Sequence, residues 1–344
     1  MRILMLTWEY PPRIVGGIAR HVEELSWALA AQGHKVHVVT CEFAGAPAEE
    51  QCNGVSIHRV SPYSPTNDFV HWVQQLNAAM YDHAAGLLTK WLEEVANPKE
   101  MEPENATVLH GHDWVAAFAS MRLKHAFRLP MVATIHATEH GRNQGIYTDQ
   151  QRYIASVEQH FVTEAWRVIV CSQYMRSEVQ SVLAAPWDKV DVIPNGIRAD
   201  KVEFEFSEEE AQQFRNQYAA PWEHLIVFSG RMVREKGAHL LIEAIWRLRQ
   251  EGIPAKLVVV GAGDRSHLER RAHELGIAPY VYFTGYVHDD VLLRLYRVAD
   301  AACFPSLYEP FGIVALEAMA AGVPVVVSDA GGLKEIVEHD HTGT

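Results

Sequence analysis

Short runs dense in Val, Ile and Leu alternate along this chain with longer stretches in which apolar residues recur every three or four positions. Residues 2–7 predict a buried strand. Residues 18–32 predict a helix with Ile18, Val22, Leu25 and Leu29 on one face and a stop at Gly33. Strands are predicted at 35–40 and 55–60, a long amphipathic helix at 69–95, a strand at 107–110, a helix at 113–127 and a strand at 131–136. A polar loop over 137–148 precedes a helix at 149–165, and strands at 167–171 and 190–193 close this half. After a charged, helical linker over 199–220 the alternation restarts: strand 225–229, helix 236–250, then strands 256–261, 281–284, 301–304 and 324–328 with helices between. Apolar strands alternating with helices indicate parallel sheets covered on both faces. The expected class is α/β, with two doubly wound, Rossmann-like domains, 1–198 and 199–344, facing each other across a cleft. Ligands of such sheets bind beyond the carboxyl ends of the strands, so chemistry is sought in those loops.

Composition narrows the partners. The 344 residues suit two domains, and a hydrophobic fraction of 48% excludes a disordered chain. Thirty Lys and Arg against 43 Asp and Glu leave a net charge of −13, which offers no attraction for nucleic acid or an anionic membrane. Cys41, Cys52, Cys171 and Cys303 show neither zinc spacing nor a secreted disulfide framework, so reduced thiols in a cytoplasmic protein are expected. The first seven residues begin like a signal peptide, but Trp8-Glu9-Tyr10-Pro11-Pro12-Arg13 breaks the apolar run. No apolar stretch approaches the ~20 residues of a membrane span.

The first strand leads through Ile14-Val15-Gly16-Gly17 into a helix, where two glycines let backbone N–H groups approach an anion; a plain strand-to-helix turn is the alternative. Gly230-Arg231-Met232-Val233-Arg234-Glu235-Lys236-Gly237 follows the first strand of the second half, and Arg231 and Lys236 there suit a diphosphate. In Ser306-Leu307-Tyr308-Glu309-Pro310-Phe311-Gly312-Ile313-Val314-Ala315-Leu316-Glu317 a helix should begin near Gly312, placing Glu309 in the loop and Glu317 in the second turn. The N–H groups of Phe311 and Gly312 would offer a further anion site, with Glu309 beside it for sugar hydroxyls. His110-Gly111-His112-Asp113 offers a possible metal pair, and His136 stands at the next strand end. Gly261-Ala262-Gly263-Asp264-Arg265-Ser266 lacks the third glycine of a dinucleotide fingerprint, which argues against a nicotinamide dehydrogenase.

Together these residues resemble the GT-B glycosyltransferases, specifically the retaining family 4 related to glycogen and sucrose synthases. The resemblance spans nearly the whole chain and rests on Gly16-Gly17, His136, Pro194-Asn195-Gly196, Gly230-Arg231, Lys236-Gly237 and the Glu309-x7-Glu317 signature. Glu139, His140, Gly141 and Arg142 are similar to glycogen-synthase-like members. The resemblance implies a donor-binding carboxy-terminal domain and an acceptor-binding amino-terminal one. It implies Arg231 and Lys236 on the diphosphate, Glu317 on the ribose, Glu309 on the donor sugar, and His136 near the reacting carbon. Asn195, Tyr286, Val287, Phe311, Gly312 and Ile313, with Gly16 and Gly17, would complete the donor site, and Glu9, Asp113 and Arg142 would face the acceptor. The chain has no Asp-x-Asp, so no metal and no cofactor is expected beyond a donor such as ADP- or UDP-glucose.

Two departures stand out. Classical bacterial glycogen synthases carry Lys-x-Gly-Gly where this chain has Ile14-Val15-Gly16-Gly17, and Cys where it has Phe311. Family members also continue past the position of Thr344, so the carboxy-terminal end reads as truncated, with 325–327 and 333–337 expected to be partly uncovered. The predicted helix at 69–95 carries Lys90 as its only Lys or Arg against Asp82, Glu93 and Glu94, which favours a soluble saccharide acceptor over a lipid. A metal-dependent hydrolase on His110 and His112, a sugar-nucleotide epimerase of the same fold, and a binding module without turnover are the alternatives.

Overall fold

The computed structural model describes residues 1–94 and 106–344; residue 95, the last of the predicted long helix, lies outside the described residues. The chain divides into two compact units, Met1–Pro194 and Asn195–Thr344. Each is an α/β unit with a largely or wholly parallel sheet.

In the first unit β1 (Arg2–Leu6) is buried along its whole length because it lies inside the sheet. The chain then forms α1 (Gly17–Ala31), β2 (Lys35–Cys41), β3 (Glu49–Cys52), β4 (Val55–Val60) and α2 (Phe69–Glu94). It continues through β5 (Thr107–His112), α3 (Ala117–Phe127), β6 (Met131–Ile135), α4 (Glu139–Asn143), α5 (Asp149–Glu164), β7 (Arg167–Val170), α6 (Gln173–Val182) and β8 (Val190–Val192). The eight strands run in the order β3-β4-β2-β1-β5-β6-β7-β8. The order reverses between β1 and β5, the topological switch at which such sheets hold their ligands.

Three local elements depart from the sequence reading. β3 pairs antiparallel with β4 through Asn53-Gly54, both with positive φ (48° and 80°). Asn-Gly is the chemistry of a tight hairpin, but the polar composition of Glu49–Cys52 hid the strand. The loop expected over 137–148 contains α4, capped by the Thr138 hydroxyl, which accepts from the Gly141 amide at 2.9 Å. α6, capped by Ser172, was not foreseen.

The second unit contains α7 (Glu208–Arg215), β9 (His224–Ser229), α8 (Ala238–Gln250), β10 (Ala255–Val260), α9 (Ser266–Glu274), β11 (Val281–Gly285) and α10 (Asp289–Val298). β12 (Ala301–Phe304), α11 (Ile313–Ala320), β13 (Val325–Val327) and α12 (Leu333–Ile336) follow. Its five parallel strands run β11-β10-β9-β12-β13, with the switch between β9 and β12. Side chains alternate between two cores: Val227, Val258 and Val260 join one, and Phe228, Leu257 and Val259 the other. Burial on both faces is what the continuous apolar strands require.

The expected exposure near the carboxy-terminal end is observed only in part. Val325, Leu333 and Val337 are buried in the first of these cores. The Thr344 amide donates to Val325 O (3.0 Å) and its carbonyl accepts from the Val327 amide (2.7 Å), so backbone covers that edge of β13. Val326, Lys334 and Glu335 remain exposed. No described helix is long and apolar enough to cross a membrane.

Candidate active site

Loops at the two switch points carry most of the candidate residues, and they are built differently. In the second unit Lys236 follows β9 and Glu309 follows β12, adjacent strands whose carboxyl ends lie side by side. Lys236 Nζ donates to Glu309 Oε2 at 2.7 Å, and Ser306 Oγ donates to the same oxygen at 3.1 Å. Glu309 is buried, and Lys236 keeps a side-chain exposure of 21%. The two loops are also joined by backbone, the Leu307 amide donating to Glu235 O at 2.7 Å, and the loop after β13 is tied to the second of them by the Gly332 amide, which donates to Glu309 O at 2.8 Å. Gly237 (φ +74°) makes this approach possible, since a Cβ there would stand 1.9 Å from Pro305 O.

Arg231 does not join the Lys236–Glu309 pair. Its guanidinium lies 3.3 Å from Glu235, half exposed. Gly312 caps α11 with φ +112°, Phe311 is buried behind it, Ile313 is half-buried, and Glu317 lies in the second turn of that helix. Tyr286 follows β11 and is exposed, with its ring edge-on to His288 at 5.8 Å, while Val287 packs against the core. Asn195 is half-buried and opens the second unit.

In the first unit the Gly16 amide of the expected Gly16-Gly17 anion site is engaged by the protein's own carboxylate. Glu9, almost wholly buried, accepts from the amides of Val15 (2.6 Å) and Gly16 (2.8 Å). Glu9 thereby shapes the loop. Asp113, at the end of β5, has φ 57° and ψ 173°, a conformation costly for a residue with a Cβ. Its carboxylate accepts from the His136 amide at 2.7 Å and meets Arg142 at 3.3 Å, bringing Asp113, His136 and Arg142 into one cluster. Burial pushes the Asp113 carboxyl up against the lowering influence of Arg142.

His136 is no lone histidine. Its Nε2 lies 3.1 Å from His112 Nδ1, and its ring centroid is 4.9 Å from that of His21 on α1. Nitrogens of His21, His112 and His136 lie within 4.8 Å of one another. His110, read with His112 as a metal pair, instead meets Thr134 Oγ1 at 2.7 Å. Burial and His21 lower the pKa of His110 to about 3, and burial, His110 and Arg142 lower that of His136 to about 3, so both rings are neutral near pH 7.

Three features escaped the sequence reading. β5 extends to His112, burying that ring. Glu158 on α5 accepts from the Glu139 amide with both oxygens, and burial raises its pKa to about 8 despite Arg142. Trp8, Phe69, Trp72 and Trp114 form an aromatic cluster, with Phe69 and Trp72 stacked at 5.9 Å and the Arg13 guanidinium 5.7 Å from Trp8 and Trp72. Nine tryptophans in the composition gave no hint of this grouping.

Comparison with known proteins now places the chain. The Glycosyltransferase Family 4 model matches residues 15–201, more than half the chain, and the Glycosyl transferases group 1 model matches 210–344. The chain belongs to glycosyltransferase family 4. This glycosyltransferase is 41% identical, over all of its length and 84% of the relative's, to an uncharacterized glycosyltransferase of Methanocaldococcus jannaschii. It is 38% identical, over all of its length and 81% of the relative's, to a glycogen synthase of Mycobacterium tuberculosis. Among solved structures it is similar to Anabaena HepE, determined in complex with UDP and glucose: TM-score 0.76, 19% identity, covering 100% of this chain and 84% of that one. The fold is GT-B. Family membership makes this enzyme a transferase, and the hydrolase reading on His110 and His112 falls away.

Proposed function

We propose that this glycosyltransferase moves a hexosyl group, glucose foremost, from a nucleoside-diphosphate sugar to a saccharide acceptor, with retention of anomeric configuration and without a metal ion. The observation that carries this reading is the Lys236–Glu309 pair at 2.7 Å at the β9/β12 switch point. A cation and a carboxylate held together there can each change partners: Lys236 turns to the diphosphate, and Glu309 is released to the hydroxyls of the donor sugar. Arg231, half exposed beside Glu235, adds a second cation. Glu317 would hold the ribose, and the Tyr286-Val287 segment and Asn195 the remainder of the nucleotide, with Phe311, Gly312 and Ile313 offering backbone amides.

In the transfer the C1–O bond to the diphosphate breaks and a C1–O bond to the acceptor forms on the same face. The acceptor's proton passes to a diphosphate oxygen. Lys236 and Arg231 stabilise the charge that develops on the leaving group, the kind of preorganised electrostatic term that dominates many transfers. His136, neutral and positioned through its own amide by Asp113, would act as a hydrogen-bonding group near the reacting carbon. The similarity to a glycogen synthase favours an α-glucan acceptor and ADP- or UDP-glucose as donor. The aromatic cluster of Trp8, Phe69 and Trp72 supplies apolar ring surface of the kind a saccharide can pack against.

The test is a donor-by-acceptor screen that measures nucleoside diphosphate release and reads the new linkage by NMR. The reading predicts an α-linked product from an α-linked glucosyl donor, formed equally well in the presence of EDTA. A β-linked product, or absence of transfer from every glucosyl donor, would overturn it.

A further inference from the structure

At the opposite side of the first sheet from β5 and β6, the outer strands and α2 bring together a second group of histidines. His58 on β4 and His83 on α2 meet with ring centroids 4.8 Å apart, and Glu49 of β3 reaches the same point. A donor atom from each of Glu49, His58 and His83 lies within 4.8 Å of the other two. We propose that Glu49, His58 and His83 form a binding site for a divalent transition-metal ion, zinc foremost, that ties β3 and β4 to α2.

Two ring nitrogens at this point make no hydrogen bond. His58 is buried, and its Nε2 lies 3.0 Å from His37 Nδ1. Its Nδ1 is buried and makes no hydrogen bond, the Glu49 Oε1 atom standing 3.7 Å away. The Nε2 of His83 is likewise buried with no hydrogen bond. Two such nitrogens converging beside a carboxylate call for a ligand, because the large majority of buried polar atoms in folded proteins are satisfied. The neighbouring His37 supplies the orientation a ligand needs. With the proton on His58 Nε2 and donated to His37, the Nδ1 lone pair faces Glu49 and His83, the arrangement in which a ligating imidazole gives its other N–H to a second group.

Size and chemistry agree with an ion. Donors about 2.0–2.1 Å from a tetrahedral zinc stand roughly 3.4 Å apart, so the present separations need a contraction that a half-exposed edge can make. Two imidazoles and one carboxylate are a zinc donor set that leaves a fourth position for water, and nitrogen donors discriminate against magnesium and calcium. Glu49 is 72% exposed, which gives the ion a path from solvent. The strands concerned are separated from β5 by β2 and β1, so the ion would serve the fold of this edge and not the transfer reaction.

The experiment titrates the metal-stripped full chain with Zn(II) against a chromophoric chelator and follows thermal melting, for the unaltered protein, His83→Ala and Glu49→Gln. The group of His21, His112 and His136 is intact in all three, so differences report the edge site. We expect His83→Ala to lose one equivalent of Zn(II) together with the rise in melting temperature that ion confers, and Mg(II) to do nothing in any of them. Glu49→Gln, altered only at an exposed side chain, should fold normally and weaken that equivalent roughly tenfold or more, which keeps the test decisive if His83→Ala does not fold. Equal stoichiometry, affinity and thermal response in the unaltered chain and Glu49→Gln, or no Zn(II) bound by the unaltered chain, would overturn the proposal.

Discussion

The two switch points solve the same problem by different means. At β1/β5 the loops are held by the protein's own carboxylates, Glu9 on the Val15 and Gly16 amides and Asp113 on the His136 amide, and the histidines are kept neutral by burial. At β9/β12 opposite charges meet directly, Lys236 on Glu309, and close backbone approach at Gly237 brings their loops together. The first arrangement fixes shape through carboxylates on backbone amides, while His112 Nε2 stays buried without a hydrogen bond. The second holds charge that a ligand can recruit. On the proposed function, donor charge belongs to the second unit, and orientation of neutral groups to the first.

The hardest blow to this division is removal of the cation. Lys236→Ala should lower kcat/KM for transfer on the order of 10²–10³-fold, the usual cost of losing a preorganised charge. Because Glu309 is buried, circular dichroism must accompany the kinetics, and near-normal turnover by a folded variant would break the assignment.

Next comes the contrast between the glycines. Gly237→Ala puts a Cβ 1.9 Å from Pro305 O at φ +74° and should cost about 2–4 kcal/mol of stability. Gly16, with extended backbone and only the Glu9 carboxylate at 3.9 Å, should accept alanine with little loss. Comparable denaturation midpoints for the two variants would erase the distinction.

A smaller effect is pH-dependent. The Glu158 carboxyl, raised by burial to about 8 from the usual 4.5 and faced by Arg142, Asp113 and Glu139, retains in the folded chain a proton that the unfolded chain releases. Its contribution to stability is full below pH 4.5 and lost as pH rises toward 8. Glu158→Gln should therefore gain stability relative to the unaltered chain across that interval; a pH-independent difference would contradict the burial argument. Smallest of all, Trp72→Ala should raise the acceptor KM several-fold with donor KM unchanged, consistent with the roughly 1 kcal/mol scale of aromatic contacts.

Much of the fold was legible because apolar strands and amphipathic helices declare themselves by period. β3 was not, since Glu49–Cys52 owes its place to the Asn53-Gly54 turn and its pairing with β4. In the site, residue type and loop position drew attention to Lys236 and Glu309. Their pairing depends on β9 lying beside β12, which no local pattern states for residues 73 positions apart. His21, on α1, meets His112 and His136 for the same kind of reason. Glu158 escaped notice because a carboxylate on an amphipathic helix is expected to face water, yet it shares the buried face with Ile154, Val157, Phe161 and Val162.

The division of labour is tested most directly by titrating UDP and ADP calorimetrically into the unaltered chain, Lys236→Ala and His136→Ala. Lys236→Ala is predicted to weaken nucleotide binding by roughly tenfold or more, because it removes a charge-assisted hydrogen bond to the diphosphate. His136→Ala is predicted to bind as tightly as the unaltered chain. Unchanged affinity in Lys236→Ala, or a comparable weakening in His136→Ala, would contradict this division.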